Sequence, residues 1–129
     1  MRYKKIQEEI IRQYNVDMCD GTKCANDWPR THAHVKLRRV CKWKPANSIQ
    51  STFTLLHEIG HLETTKPKMK RCEEEYYATK WALDRCKEYG IIVPAKTIQD
   101  YQDYIDMEHD RGARRGGKMP LLKTLQLNK

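Results

Sequence analysis

The chain has 129 residues, enough for one domain with a core of moderate size. Apolar residues make up 39% and charged residues 33%, with a formal charge of +8, and no apolar run approaches the ~18 residues of a membrane span. The N-terminus, Met1-Arg2-Tyr3-Lys4-Lys5-Ile6, lacks the apolar stretch of a secretory signal, so membrane-spanning and secreted classes are set aside and a cytoplasmic address is expected.

The five Cys form no framework of paired spacings and are read as free thiols or, less often, metal ligands. Charge is unevenly spread. Lys36, Arg38, Arg39, Lys42 and Lys44 form one basic patch, and Lys66, Lys68, Lys70 and Arg71 a second. Residues 97–110 run acidic, with Asp100, Asp103, Asp106, Glu108 and Asp110. Basic patches of this kind suit nucleic acid or an acidic protein partner, although a solvated surface is the simpler account.

In chain order, Tyr3, Ile6, Ile10 and Tyr14 recur at three- and four-residue spacing and predict a helix over 2–14. Residues 15–31 are rich in turn formers, with Asp20-Gly21 a tight-turn signal. Cys19 and Cys24 flank that turn, and His32 and His34 follow, so a second metal site from these four is conceivable. Their spacing matches no established zinc pattern. From His32 the chain alternates, with Ala33, Val35 and Leu37 on one side and His34, Lys36 and Arg38 on the other. This predicts a half-buried strand, paired antiparallel with a short strand near 15–19, whose edge could take an extended substrate.

Pro45 stops that strand, and Asn47 is the expected N-cap of a helix over 48–63, with Gln50 three residues on. Ile49, Phe53, Leu56 and Gly60 mark its buried face. Gly60 costs about 1 kcal/mol relative to Ala in a helix, which points to a close backbone approach there. The same helix carries His57-Glu58-Ile59-Gly60-His61. Residues four apart share a face with Cβ atoms about 5–6 Å apart, so two imidazole nitrogens can converge on one Zn²⁺ at roughly 2.0–2.1 Å. Glu58 then lies to one side, where it can take a proton from an activated water.

After a basic connection containing Pro67, a helix is expected over 71–89, with the acidic run Glu73-Glu74-Glu75 suiting its first turn. Cys72, Glu75, Ala78, Ala82, Cys86 and Tyr89 fall on one stripe of mainly small or apolar residues, which directs Glu75 inward. A buried carboxylate needs a cation, and a His₂Glu ligand set needs a third residue. Glu75 is the first choice for it and Glu74 the alternative, whereas Glu73 points to solvent with Lys80 and Asp84. Gly90 is placed to end the helix, and Ile91-Ile92-Val93-Pro94 reads as extended core. A further helix starts at Thr97, with Ile98, Tyr101, Tyr104 and Ile105 on one face. One domain over 1–110 is expected, then a basic, flexible tail over 111–129 whose apolar end, from Pro120, can dock on the domain or a partner.

Two segments together resemble the ImmA/IrrE family of zinc metallopeptidases. Phe53-Thr54-Leu55-Leu56-His57-Glu58-Ile59-Gly60-His61 is similar to that family's active-site helix, and Glu75-Tyr76-Tyr77-Ala78-Thr79-Lys80-Trp81-Ala82 to its Glu-x-x-Ala-x-x-aromatic-Ala signature. The resemblance covers residues 48–94. It implies an α+β, mainly helical zincin-like domain with a small antiparallel sheet of two to three strands packed on the His-Glu-x-x-His helix. It implies zinc held by His57, His61 and Glu75, with Glu58 as general base. Thr79 departs from the Asn or Asp often found there, which would support the metal site from behind its ligands.

Members of that family are cytoplasmic, often belong to phages or other mobile elements, and several cleave a helix-turn-helix repressor. The expectation is therefore a zinc-dependent metallo-endopeptidase acting on a repressor or other regulatory protein. The alternative is a non-catalytic, metal-stabilised protein that binds DNA or an acidic partner. An oxyanion donor is also required; Tyr77, Tyr101, Tyr104, His34 and His109 all remain open as candidates.

Overall fold

The computed structural model describes residues 2–19, 30–122 and 124–125, and shows an α+β arrangement of four helices and one three-stranded sheet. The first helix, α1 (Arg2–Gln13), lays Ile6 and Ile10 on the core. Its stripe also buries Gln7, which is tolerated because the amide donates to Ala46 O and Thr52 Oγ1, both at 2.8 Å.

The central helix is α2 (Ile49–Thr64), buried at nearly every position from Thr52 to Leu62. Its N-cap is Ser48 rather than the expected Asn47: the Ser48 hydroxyl accepts the Ser51 N–H at 3.1 Å. Asn47 instead accepts the Tyr3 N–H at 2.9 Å and ties α1 to the start of α2. The third helix, α3 (Arg71–Glu88), packs along α2. Glu73 turns back to accept the Lys70 N–H at 3.1 Å, so it caps the helix where a purely solvated side chain was expected. At the far end Gly90 takes φ +70°, with Ile91 N–H to Cys86 O at 2.8 Å and Gly90 N–H to Lys87 O at 3.1 Å. These are the two bonds of a Schellman cap.

The last helix, α4 (Ala95–Arg114), begins directly after Pro94 and runs past the Asp110 at which a flexible tail was expected. The chain beyond it returns along the helix. His109 Nε2–H donates to Pro120 O at 3.0 Å, Gln102 Oε1 accepts the Leu125 N–H at 2.8 Å, and Leu125 is buried.

The sheet departs from expectation. The single strand foreseen from His32 is instead a hairpin of β2 (His32–His34) and β3 (Arg39–Cys41). Between them the Arg38 N–H bonds Val35 O at 3.2 Å, and Arg38 takes a left-handed φ of 46°. Leu37 is therefore at an exposed turn. The antiparallel pairing lies within that hairpin, whereas β1 (Asp17–Cys19) pairs with β3 in parallel, giving the order β1-β3-β2 and a mixed sheet. Met18, Val40 and Ala33 are aligned across the strands and join the core, with β2 and β3 alongside α2. Arg39 pairs with Asp17 at 2.7 Å and Arg38 with Glu63 at 3.4 Å, so part of the first basic patch is internally neutralised.

Cys72 and Cys86 are buried free thiols, and burial pushes the Cys86 thiol up to about 12. Cys41 is disulfide-bonded, which corrects the reading of all five cysteines as thiols or ligands.

Helices α2 and α3 touch backbone to backbone at Gly60. A Cβ there would lie 2.6 Å from Ala78 O and 3.0 Å from Ala78 Cα. Gly60→Ala should destabilise the chain by about 1–3 kcal/mol, because the forced separation of the helices outweighs the ~1 kcal/mol gain in helix propensity. A lower midpoint in urea denaturation is the expected result.

Candidate metal centre

On α2, His57 and His61 stand one above the other, their rings 4.8 Å apart and nearly perpendicular. The contact at Gly60 and Ala78 sets Glu75, one turn before Ala78 on α3, against both. Glu75 Oε2 is 3.2 Å from His57 Nε2 and 3.0 Å from His61 Nε2. All three side chains are buried. Glu58 projects beside them, with Oε2 3.4 Å from His57 Nδ1. One donor atom each from His57, Glu58 and His61 falls within 4.8 Å of the others. The structure thus brings together His57, Glu58, His61 and Glu75. The alternative, Glu74, is half-buried and meets Arg71 at 3.5 Å.

The donor set fits a divalent metal. Three ligands around an ion at 2.0–2.1 Å in a tetrahedral site lie about 3.3–3.4 Å from one another, close to the two distances from Glu75. His57 Nε2 is buried and, despite its proximity to Glu75, makes no aligned hydrogen bond. A nitrogen left in that state is costly unless a cation or proton meets its lone pair.

The charges are strongly coupled. Burial by itself lowers the His57 pKa, but the carboxylates of Glu58 and Glu75 outweigh it and push it up to about 9. Burial alone would raise Glu75, yet His57 and His61 hold it well below the usual carboxylate range. From α4, Tyr101 packs its ring 4.7 Å from that of His57 and 5.1 Å from that of Phe53, fixing the outer side of the imidazole. Burial and the nearby Glu58 and Glu75 raise the Tyr101 pKa, so its hydroxyl keeps its proton.

Two clefts meet at this cluster. One, of about 820 Å³, includes His57, Trp43, Lys44 and Tyr101 in its lining. The other, of about 580 Å³, includes His61, Ala33, Val35 and Arg71. Glu58, Glu75, Arg30, Thr31 and Tyr104 line both. Of the five oxyanion candidates, Tyr104 alone borders both clefts. Tyr101 borders the first, and Tyr77, His34 and His109 border neither.

Sequence reasoning missed two contributions. Arg71, read as part of a basic patch, binds Glu75 Oε1 at 3.0 Å; its position four residues before Glu75 on one helix is the signal that could have found it. Tyr101 was read as a helix-face residue or donor, and its packing on His57 depends on how α4 packs on α3. Of the second conceivable site, Cys24 lies outside the described residues. His32 and His34 do approach each other and Cys41, with donor atoms within 4.8 Å. Cys41 offers no thiolate, however, being disulfide-bonded.

Comparison with protein-family models, with curated proteins and with solved structures finds no match to this chain.

The metal-free cluster should give the protein a characteristic pH dependence. His57 is raised from 6.5 to about 9, so its contribution to stability is complete below pH 6.5 and is lost as pH rises through 9. Glu75 is lowered, so its contribution is lost instead as pH falls through the acid range. For chelator-treated protein, urea denaturation should show stability falling between pH 6.5 and 9 by up to about 1.4 kcal/mol per pH unit. His57→Gln should flatten that limb, and a flat profile in the unmutated chain would contradict the coupling.

Proposed function

We propose that this chain is a zinc-dependent metallo-endopeptidase. The observation that carries the proposal is the approach of Glu75 Oε2 to both His57 Nε2 and His61 Nε2, with Glu58 beside them and facing both clefts. Two imidazoles and one carboxylate, with a further carboxylate free to act as base, is the donor set of a catalytic rather than a closed structural zinc site. When bound there, zinc supplies the Lewis acidity that brings a water towards ionisation near neutral pH and polarises a carbonyl.

The protein's own residues supply the rest. His57, His61 and Glu75 would hold the ion. Glu58 takes the water proton and returns it to the leaving amine. Tyr101 holds the His57 ring in place, and the meeting of two clefts at the cluster lets a chain segment pass through rather than end there. That through-passage favours cleavage within a chain. The resemblance carried by the two helix motifs extends the proposal to a zincin-like domain acting on a regulatory protein, such as a helix-turn-helix repressor of a phage or mobile element.

The direct test is to incubate zinc-loaded protein with the product of any repressor gene found beside its own and read cleavage on a gel. Glu58→Gln should lower turnover by about 10²–10⁴-fold while retaining about one zinc per chain. Full activity in that variant would refute the mechanism. Zinc uptake with salt-sensitive binding and no cleavage by the wild type would instead support the non-catalytic alternative.

A further inference from the structure

The two oxygens of Glu75 have different partners. Oε2 faces the imidazoles at 3.0 and 3.2 Å, whereas Oε1 is held at 3.0 Å by Arg71 Nη2. The other arm of the guanidinium, Nη1, lies 3.5 Å from Glu74 Oε2, and the Tyr104 side chain from α4 interacts with the same group. The guanidinium therefore bridges two carboxylates of its own helix, and it shares a cleft with Tyr104 of α4. Thr79, at the position where support for the metal site was looked for, spends its one hydroxyl proton on the Glu75 backbone O at 2.7 Å and so donates no hydrogen bond to the Glu75 carboxylate.

We propose that Arg71 is the positioning residue of the metal centre, holding Glu75 Oε1 so that the carboxylate offers a metal one oxygen, Oε2. The inference rests on the metal-binding reading above and adds to it the residue that decides how Glu75 binds. A carboxylate with both oxygens free can chelate an ion through both or swing between them. With Oε1 held, one oxygen remains and its direction is set. A planar fork that reaches Glu74 and Glu75 together is available to Arg and not to Lys, whose single ammonium is a point donor.

A cation near a metal also repels it. The Arg71 side chain is 51% exposed, however, so solvent screens that repulsion. The Glu75 side chain is only 7% exposed, and without Arg71 its orientation would rest on the imidazoles alone. Positioning should therefore outweigh repulsion.

The test is zinc affinity, by competition with a coloured chelator, for the wild type, Arg71→Ala and Arg71→Lys, together with the visible spectrum of each chain loaded with Co²⁺. Arg71→Ala should bind zinc about 10–100-fold more weakly, with Arg71→Lys between the two. The cobalt bands of the Ala variant should lose intensity as Glu75 becomes a two-oxygen ligand. Circular dichroism serves as the control for folding, and if the Ala variant does not fold, the Lys variant carries the comparison. Affinity equal to or tighter than wild type, with an unchanged cobalt spectrum, overturns the assignment. A wild-type chain that takes up no metal removes the metal reading itself and this inference with it. Loss of uptake on His57→Gln with wild-type uptake intact keeps the two failures apart.

Discussion

The contact between Gly60 on α2 and Ala78 on α3 is the constraint on which the site depends. With no side chain at Gly60, the Ala78 carbonyl comes within the space a Cβ would occupy. Two helices this close have little freedom to slide past each other. Because Glu75 lies three residues before Ala78 and His61 one residue after Gly60, the crossing point also sets the distance between carboxylate and imidazoles. A larger residue at 60 would move Glu75 away from both histidines at once.

Burial then makes that placement consequential. A carboxylate and two imidazoles removed from water interact far more strongly than on a surface, and an isolated charge among them would be expensive. The opposite movements of the His57 and Glu75 pKa values are two views of one coupling. In the metal-free chain a proton on His57 balances the neighbouring carboxylates. A divalent ion can replace that proton on the same nitrogen, so one arrangement of side chains serves a proton and a metal alike.

The remaining elements frame this pair of helices. The core face of the sheet packs through Met18, Val40 and Ala33, with β2 and β3 beside α2. From the other direction α4 brings Tyr101 onto His57 and Tyr104 to the junction of the clefts. The chain beyond α4 folds back on that helix through Pro120 and Leu125, which braces the element carrying both tyrosines.

Local rules were legible in the sequence because they act over four residues or fewer. The helical spacing of His57 and His61, the inward stripe through Glu75 and the Gly90 cap all follow from helix geometry alone, whereas Gly60, unfavourable for its own helix, only signalled that some other backbone comes close. Competition between nearby candidates was less legible. Ser48 and Asn47 both suit an N-cap, and the choice was made by Tyr3, whose N–H comes from a different helix and occupies Asn47. Alternation from Ala33 to Leu37 suggested one strand, but a left-handed Arg38 folded it into a hairpin and let β1 join in parallel. The sequence by itself determined which residues could form the centre. Only the tertiary structure decided that Glu75 rather than Glu74 meets the histidines, that Arg71 holds its other oxygen and that Tyr101 backs His57. Those outcomes depend on the distance and angle at which helices cross, which no local spacing contains.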